Sequence, residues 1–165
     1  MIHVKSEDPM AHAVEDEFKL AFRNGLAGLE QPLIGVLRQL ATHNYPSEVV
    51  AIDFEVFSDS WSDGFPVRAF FMDATNCEHF VYVDGSAEYP SPVDPGLLTE
   101  AIISDDVEWS LLERAPEMDA GALGEAELFP WFIACWQKAA GGGFLKRATL
   151  ALHDDAREFD LIAHT

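Results

Sequence analysis

Hydrophobic residues recur every three or four positions in the first quarter of the chain, a spacing typical of amphipathic helices. Asp8 followed by Pro9 is a typical helix start, so we predict a first helix from Asp8 to about Leu29. The run 30–32 ends in proline and predicts a break before a second helix, which ends near His43. The short connection predicts that the two helices are antiparallel neighbours. Their apolar stripes consist of Met10, Val14, Phe18, Ala21, Phe22, Leu26 and Leu29, and of Leu33, Val36, Leu37, Leu40 and Ala41.

The pattern then changes to an alternation of apolar and polar residues, which is typical of β-strands with one buried face. We predict strands at about 49–57, 67–73 and 79–83, joined as an antiparallel meander. The even-numbered residues from 52 to 56 would face the core in the first strand. β-branched and aromatic residues dominate the first two segments, which favours the strand interpretation.

The loop between the first two strands, FSDSWSDGFP, has part of the pattern of a calcium-binding EF-hand loop. Asp59, Asp63 and Gly64 stand at relative positions 1, 5 and 6 of that pattern. Position 3 is Trp61, which has no side-chain oxygen, and position 12, which should be a bidentate glutamate, is Phe70. We therefore expect no metal site here and interpret the loop as a long hairpin turn. Trp61 would then be exposed at its tip or folded back over the sheet.

The second half of the chain predicts further helices and strands, with an aromatic helix as the main feature. This helix, FPWFIACWQKAAGGG, has Pro130 near its start and three glycines at its end, and its aromatic side chains predict that it is buried. Before it, we predict a short helix that is capped by Asp94 and Pro95 and runs to about Ser104, and a strand at 106–114 in which Val107, Trp109 and Leu111 alternate. An acidic linker or weak helical turn follows at 115–127. After the aromatic helix we predict a strand at 146–155 and a tail or short final element at 157–165.

Together these elements predict a single globular domain, residues 1–165, of the α+β class. Its sheet would be largely antiparallel, with two N-terminal helices and a buried aromatic helix near the C-terminus. A chain of 165 residues, 48% of them hydrophobic, can form one full core. It has no apolar run of 18 residues and no signal pattern at its start, so we expect a cytoplasmic protein. Its two cysteines fit a reducing compartment.

The strongest compositional feature is a formal net charge of −19. Residues 49–127 contain 18 acidic residues and only two basic ones, so this segment carries −16 of the total. Such a charge disfavours direct binding to nucleic-acid phosphates or anionic membranes and favours a basic protein partner. Acidic runs are usually solvated surfaces, but a field of one sign is also suited to docking.

The sequence contains no catalytic or cofactor-binding motif that we recognise. It has no G-x-S-x-G nucleophile elbow, no phosphate-binding glycine loop before a helix and no H-E-x-x-H sequence. We therefore predict no catalytic residue, no metal and no cofactor. Two groups stay open as sites: His153, Asp154 and Asp155, which also form a typical turn sequence, and the pair Cys77 and His79.

The layout of the chain resembles that of the small acidic α+β immunity proteins that bacteria encode beside secreted toxins. The resemblance lies in a helical segment at 22–44 that leads into the strand at 48–57, a tryptophan-containing segment at 106–113, and an aromatic helix followed by a strand at 131–161. It implies a cytoplasmic inhibitor that binds one basic toxin and has no catalytic residues.

Our leading hypothesis is a non-enzymatic binding protein that docks a basic partner, such as a nuclease-type toxin, through an acidic surface on the side of the sheet. Interface anchors tend to be aromatic. The predicted partner-binding residues are Trp61 and Tyr89 as anchors, with the carboxylates of Asp59, Asp63, Asp105 and Asp106. The alternatives are a mimic of nucleic acid that binds a DNA- or RNA-binding protein, and a small-ligand or hydrolase domain.

Overall fold

The structure, a computed structural model, describes residues 9–79 and 96–162, together with the backbone of the short segments 82–83 and 86–87. Tyr89, one of the two predicted anchors, lies outside the described residues. The helices and strands are, in chain order, α1 (Pro9–Thr42), β1 (Ala51–Val56), β2 (Val67–Met72), β3 (Tyr82–Val83), β4 (Ser86–Ala87), α2 (Asp105–Arg114), α3 (Ala120–Ala140), β5 (Arg147–Leu152) and β6 (Glu158–Asp160).

Four strands form one mixed sheet in the order β2-β1-β5-β6. β1 pairs antiparallel with β2, and β5 pairs antiparallel with β6, but β1 and β5 are parallel. The α+β class is confirmed, whereas the prediction of a largely antiparallel sheet is wrong. The reason is α3, which returns the chain to the end of the sheet where β1 begins, so that β5 runs beside β1 in the same direction.

Only the first two strands of the predicted meander form as expected, as the β1–β2 hairpin. Part of the predicted third strand at 79–83 lies outside the described residues. Just before it, Glu78 forms an isolated bridge with Met72, and Tyr82–Val83 form β3, which pairs with β4 in a separate two-stranded sheet. The carboxylate of Asp73 accepts hydrogen bonds from the amides of Thr75 and Cys77. These bonds fold the chain into a tight turn directly after β2, and the bridge between Met72 and Glu78 follows that turn.

α1 is one continuous helix of 34 residues rather than the predicted antiparallel pair. Pro32 lies inside it on the exposed side, and buried residues precede and follow it at unbroken helical spacing. A proline in a helix interior costs about 3 kcal/mol. Burial of one large aliphatic side chain contributes about 1.5–3 kcal/mol, so the buried residues beyond Pro32 outweigh that cost. They are Leu33, Ile34, Leu37 and Leu40.

Residues 105–114 form the helix α2, where we predicted a strand. The hydroxyl of Ser104 caps this helix by accepting a hydrogen bond of 3.3 Å from the amide of Val107. Three acidic residues in the first turn and a basic residue in the last turn complement the helix dipole. The alternation of Val107, Trp109 and Leu111 is misleading, because only Leu111 of the three is buried.

α3 begins well before the predicted aromatic helix, so the second half of the segment predicted as a linker is helical. The carboxylate of Asp119 caps the helix by accepting a hydrogen bond of 3.0 Å from the amide of Ala122. Pro130 therefore lies in the helix interior rather than near its start. Gly141 ends the helix in a left-handed conformation with a φ of 57°, as the glycines predicted.

The core lies between the sheet and α3, and α1 packs along α3. The aromatic helix is buried as predicted: the ring of Phe54 contacts those of Phe132 and Trp136, with centroids 5.1 and 5.6 Å apart. Residues 96–104, which we predicted to be helical, run irregularly and contribute the buried side chains Leu97, Leu98, Ile102 and Ile103. Within the described parts of the chain, none of the helices combines the length and the apolar character that a membrane crossing requires.

Candidate functional site

Trp61, the predicted anchor, lies in the core and not at an exposed tip, since only 1% of its surface is accessible. Its ring packs edge-on against Phe22 of α1, with ring centroids 5.1 Å apart. Its indole Nε1 donates a hydrogen bond of 2.9 Å to the carbonyl oxygen of Ala120, at the start of α3. The loop 57–66 therefore folds onto the helices, and this burial is inconsistent with Trp61 as an exposed anchor.

Space for the indole ring of Trp61 depends on Gly124 of α3. A Cβ atom at position 124 would lie 2.4 Å from Cε2 of Trp61, far inside the normal contact distance. Glycine in a helix interior is less favourable than alanine by about 1 kcal/mol. Burial of a tryptophan ring more than offsets that cost, because aromatic side chains dominate the energetics of cores.

Glu108 of α2 holds the same loop from the other side. Its Oε2 accepts a hydrogen bond of 2.9 Å from the backbone amide of Trp61. Its Oε1 lies 3.0 Å from Oγ of Ser60 and 3.1 Å from Oγ of Ser62. Hydrogen bonds to an ionised carboxylate are stronger than those between neutral groups, so Glu108 fixes the loop against α2.

Asp105 takes part in the same hydrogen-bond network. Oγ of Ser62 lies 2.6 Å from Oδ1 of Asp105. A hydroxyl has one hydrogen to donate, and the shorter distance favours Asp105 over Glu108 as its acceptor. The amide of Ser62 in turn donates a hydrogen bond of 3.2 Å to Oγ of Ser60. The loop and the first turn of α2 thus form one hydrogen-bonded unit.

This unit brings the four exposed aspartates that were predicted to bind a partner close to the first turn of α2. Asp59 and Asp63 are exposed in the loop, and each follows or precedes a serine that is hydrogen-bonded to α2. Asp105 and Asp106 are exposed in the first turn of α2. With two further residues of α2 they form the surface that we call the acidic face: Asp59, Asp63, Asp105, Asp106, Glu108 and Trp109.

Trp109 is the exposed aromatic residue of the acidic face, and the sequence analysis missed it as a candidate. It is 67% exposed. If residues 105–114 are read as a helix, Trp109 can be identified as exposed. Residues 109 and 111 then point about 200° apart around the helix axis, so a helix that buries Leu111 exposes Trp109. The indole lies beside a shallow depression of about 300 Å³, which is also lined by Ser62, Asp105, Asp106, Glu108 and Leu112.

The arginine and lysine ion pairs that the structure shows among the described residues lie elsewhere, and none of them includes a carboxylate of the acidic face. They join Arg114 to Glu17, Arg23 to Glu127, Lys138 to Glu30 and Arg157 to Asp155. Hydrogen bonds from these arginines lower the pKa of Glu17 and Glu127 and lower that of Asp155 to about 2. The charged groups of the acidic face are therefore all negative, which suits a cationic partner.

The two histidine-containing groups left open by the sequence do not combine into one site. The amide of His153 donates a hydrogen bond to Val56, at the end of β1, and its Nδ1 lies 3.0 Å from Oε2 of Glu55. The amide of His79 donates to Phe71, which pairs near the start of β1. The two histidines thus lie at opposite ends of β1, which contradicts a site shared between them.

Neither group forms a metal-binding cluster among the residues that the structure describes. Across the parts of the chain that the structure describes, no three His, Cys, Asp or Glu side chains are placed to hold a metal ion. Asp154 lies 3.4 Å from Nε2 of His153, a single contact at the surface. Both cysteines are free; Cys77 is exposed, while burial raises the pKa of Cys135 to about 12. A thiol with so high a pKa stays protonated and is a poor nucleophile.

Comparisons of this chain with protein-family models, with curated proteins and with solved structures found no match. Roles for its residues therefore have to be inferred from its own geometry. The acidic face is the surface best suited to that inference, because it joins a fixed backbone, a single sign of charge and an exposed aromatic ring.

Proposed function

We propose that the protein is a non-enzymatic inhibitor of the immunity type, which binds a basic protein partner such as a toxin through the acidic face. The observation that carries the proposal is the exposed indole of Trp109 beside carboxylates that pair with no basic side chain among the described residues. The resemblance in layout to bacterial immunity proteins supports the same class of function.

The positions on α2 suit recognition of an arginine or lysine side chain. Asp105 and Asp106 precede Trp109 by four and three residues, so all three side chains project from one side of the helix. A guanidinium stacked on the indole gains a cation–π interaction and can reach a carboxylate at the same time. Tryptophan is also among the residues that most often dominate the binding energy of interfaces.

The acidic face is fixed before any partner arrives. Glu108 and Asp105 bind the loop through its serine hydroxyls and one backbone amide, and Trp61 anchors it in the core. A surface that is already ordered loses less conformational entropy on binding, and more of the contact energy then appears as affinity. This rigidity supports a role in binding for the four aspartates that the loop and α2 present.

The acidic face is less suited to mimicry of nucleic acid, the second hypothesis from the sequence. A mimic needs carboxylates in an extended row that follows the spacing of phosphates along a strand. The acidic face is a compact patch, and four other carboxylates lie in ion pairs on α1, on α3 and near β6. A basic protein with a local cationic patch is therefore the better match.

The test is capture of the products of neighbouring genes by the purified protein, followed by a titration with the captured protein. We expect capture of one basic protein, and binding that weakens strongly at about 0.5 M salt, where the screening length is only about 4 Å. Trp109→Ala should weaken binding by about 2 kcal/mol, which is roughly 30-fold. Asp105→Asn combined with Asp106→Asn should mainly slow association.

The matched control is Met10→Ala, because Met10 is an equally exposed apolar residue that lies near the start of α1, away from the acidic face. It should leave the affinity unchanged. Capture of acidic proteins only, binding that is independent of salt, or a Trp109→Ala variant with full affinity would contradict the proposal.

A further inference from the structure

A second surface, which we call the α1/α2 groove, adjoins the acidic face. It is an open groove of about 540 Å³ between the two helices. On α1 it is lined by Glu17, Leu20, Ala21 and Asn24, which follow one another at helical spacing along one stripe. Leu20 is 61% exposed and lies on the side of α1 that faces away from the core.

α2 contributes a matching stripe on the opposite wall of the groove. Val107, Ser110, Leu111 and Arg114 recur at the same intervals of three and four residues. Val107 is exposed and lines the groove. Two helices that present parallel stripes with an apolar centre leave a site into which the apolar face of a third helix can pack.

The groove and the acidic face are continuous through Asp106, which lines both the α1/α2 groove and the depression beside Trp109. The ion pair of Glu17 and Arg114 lies at the end of the groove where α2 ends. A helix in the groove would meet apolar side chains along its buried face and the carboxylates of the acidic face along the flank that faces α2. That combination selects an amphipathic helix with lysine or arginine on one flank.

We propose that the α1/α2 groove binds one amphipathic helix of the basic partner. Apolar side chains of that helix contact Leu20 and Val107, and its basic flank faces Asp105, Asp106 and Trp109. This inference rests on the proposed function and adds to it the secondary structure and the residue pattern of the segment that is recognised. A second copy of this chain is disfavoured as the occupant, because each copy carries a net charge of −19 and would bring like charges together.

Two synthetic peptides of identical leucine and lysine composition test the inference against the full chain. One peptide has leucines at helical spacing, and the other has the same residues in an order that forms no apolar stripe. We expect the amphipathic peptide to bind about tenfold tighter or better, because one more buried leucine is worth that much. Fluorescence anisotropy of labelled peptides, at low and at high salt, provides the measurement.

Variants of the protein distinguish the groove from the acidic face. Leu20→Asn and Val107→Asn should each weaken the amphipathic peptide by about tenfold and leave the other peptide unchanged. The control is Leu145→Asn, because Leu145 is 98% exposed and does not line the groove. Circular dichroism and urea unfolding of each variant confirm that the fold is intact, as expected for exposed positions.

The outcomes separate failure of this inference from failure of the proposed function. In one outcome both peptides bind equally, Leu20→Asn leaves their binding unchanged, and the double variant Asp105→Asn with Asp106→Asn abolishes it. This outcome overturns the groove inference and supports the acidic face. Binding of neither peptide at low salt overturns both. Self-association that Leu20→Asn abolishes shows a second copy of the chain in the groove and also overturns the inference.

Discussion

Trp61 and Trp109 stand in similar sequences, SDSWSDG and DVEWSLL, yet one is 1% exposed and the other 67%. Trp61 belongs to a loop whose backbone is fixed by Glu108 and whose indole enters the space above Gly124. Trp109 belongs to a helix that turns it away from the side of the buried Leu111. Acidic neighbours in the sequence therefore say little about exposure, which depends on the element that carries the residue and on what faces it.

Truncation of the two tryptophans should give the largest difference between these regions. Trp61→Ala removes a fully buried ring and its hydrogen bond to Ala120, so we expect a loss of about 3–5 kcal/mol in the free energy of unfolding. Trp109→Ala should change that free energy by less than about 0.5 kcal/mol, because the ring is exposed. Urea unfolding followed by circular dichroism gives both values.

The milder variant Trp61→Phe covers the case in which Trp61→Ala is too unstable to purify. It keeps an aromatic ring and loses the indole nitrogen, so it should cost about 1–2 kcal/mol and still fold. Equal stability of the Trp61 and Trp109 variants would show that the loop does not fold onto the helices.

The second prediction concerns the space that admits Trp61. Gly124→Ala places a methyl group 2.4 Å from Cε2 of the indole and should destabilise the protein by about 1–3 kcal/mol. Gly28→Ala is the matched control, because it lies inside α1 with open space around it and should stabilise the protein by about 0.5–1 kcal/mol. Stabilisation of the protein by both alanine substitutions would contradict the placement of the indole. In a protein that already carries Trp61→Phe, Gly124→Ala should cost less stability.

The third prediction separates the carboxylate that holds the loop from those that face solvent. Glu108→Gln replaces one acceptor oxygen by a donor and should cost about 1–2 kcal/mol, since the carboxylate accepts bonds from the backbone amide of Trp61 and the hydroxyl of Ser60. Asp106→Asn removes the same charge from the first turn of α2 and should change stability by less than about 0.5 kcal/mol. Thermal and urea unfolding of both variants at one ionic strength measures the two losses. An equal loss of stability in the two variants would contradict the hydrogen-bond network.

Elements with a strong local pattern could be predicted from the sequence. Alternation placed β1, β2 and β5 within two or three residues of their observed bounds, and the glycines at 141–143 placed the end of α3. Two local signals were overruled, one by packing and one by a helix cap. The buried residues after Pro32 keep α1 continuous, and the cap at Ser104 makes a helix of residues whose short alternation favours a strand.

Long-range features could not be predicted in this way. The parallel pairing of β1 with β5 joins segments about one hundred residues apart, and no local pattern encodes which strand lies beside which. The four aspartates of the candidate site were correctly expected at the surface, since turns and first helical turns favour exposed aspartate. The sequence suggested Trp61 as an exposed anchor because its burial depends on Gly124, a residue far away in the sequence.

Addition of calcium should give the smallest effect. Asp59 and Asp63 match two positions of a calcium loop, but the serines between them already bind Glu108 and Asp105, and the loop has no glutamate at position 12. Binding should be no tighter than about 10⁻³ M, so about 1 mM calcium adds at most about 0.4 kcal/mol, or roughly 1 °C in the melting temperature. Magnesium at matched ionic strength controls for screening of the net charge. A calcium-specific rise of several degrees in the melting temperature that Asp59→Asn abolishes would show that the loop is an ion site. The loop serines would then bind the metal in place of Glu108.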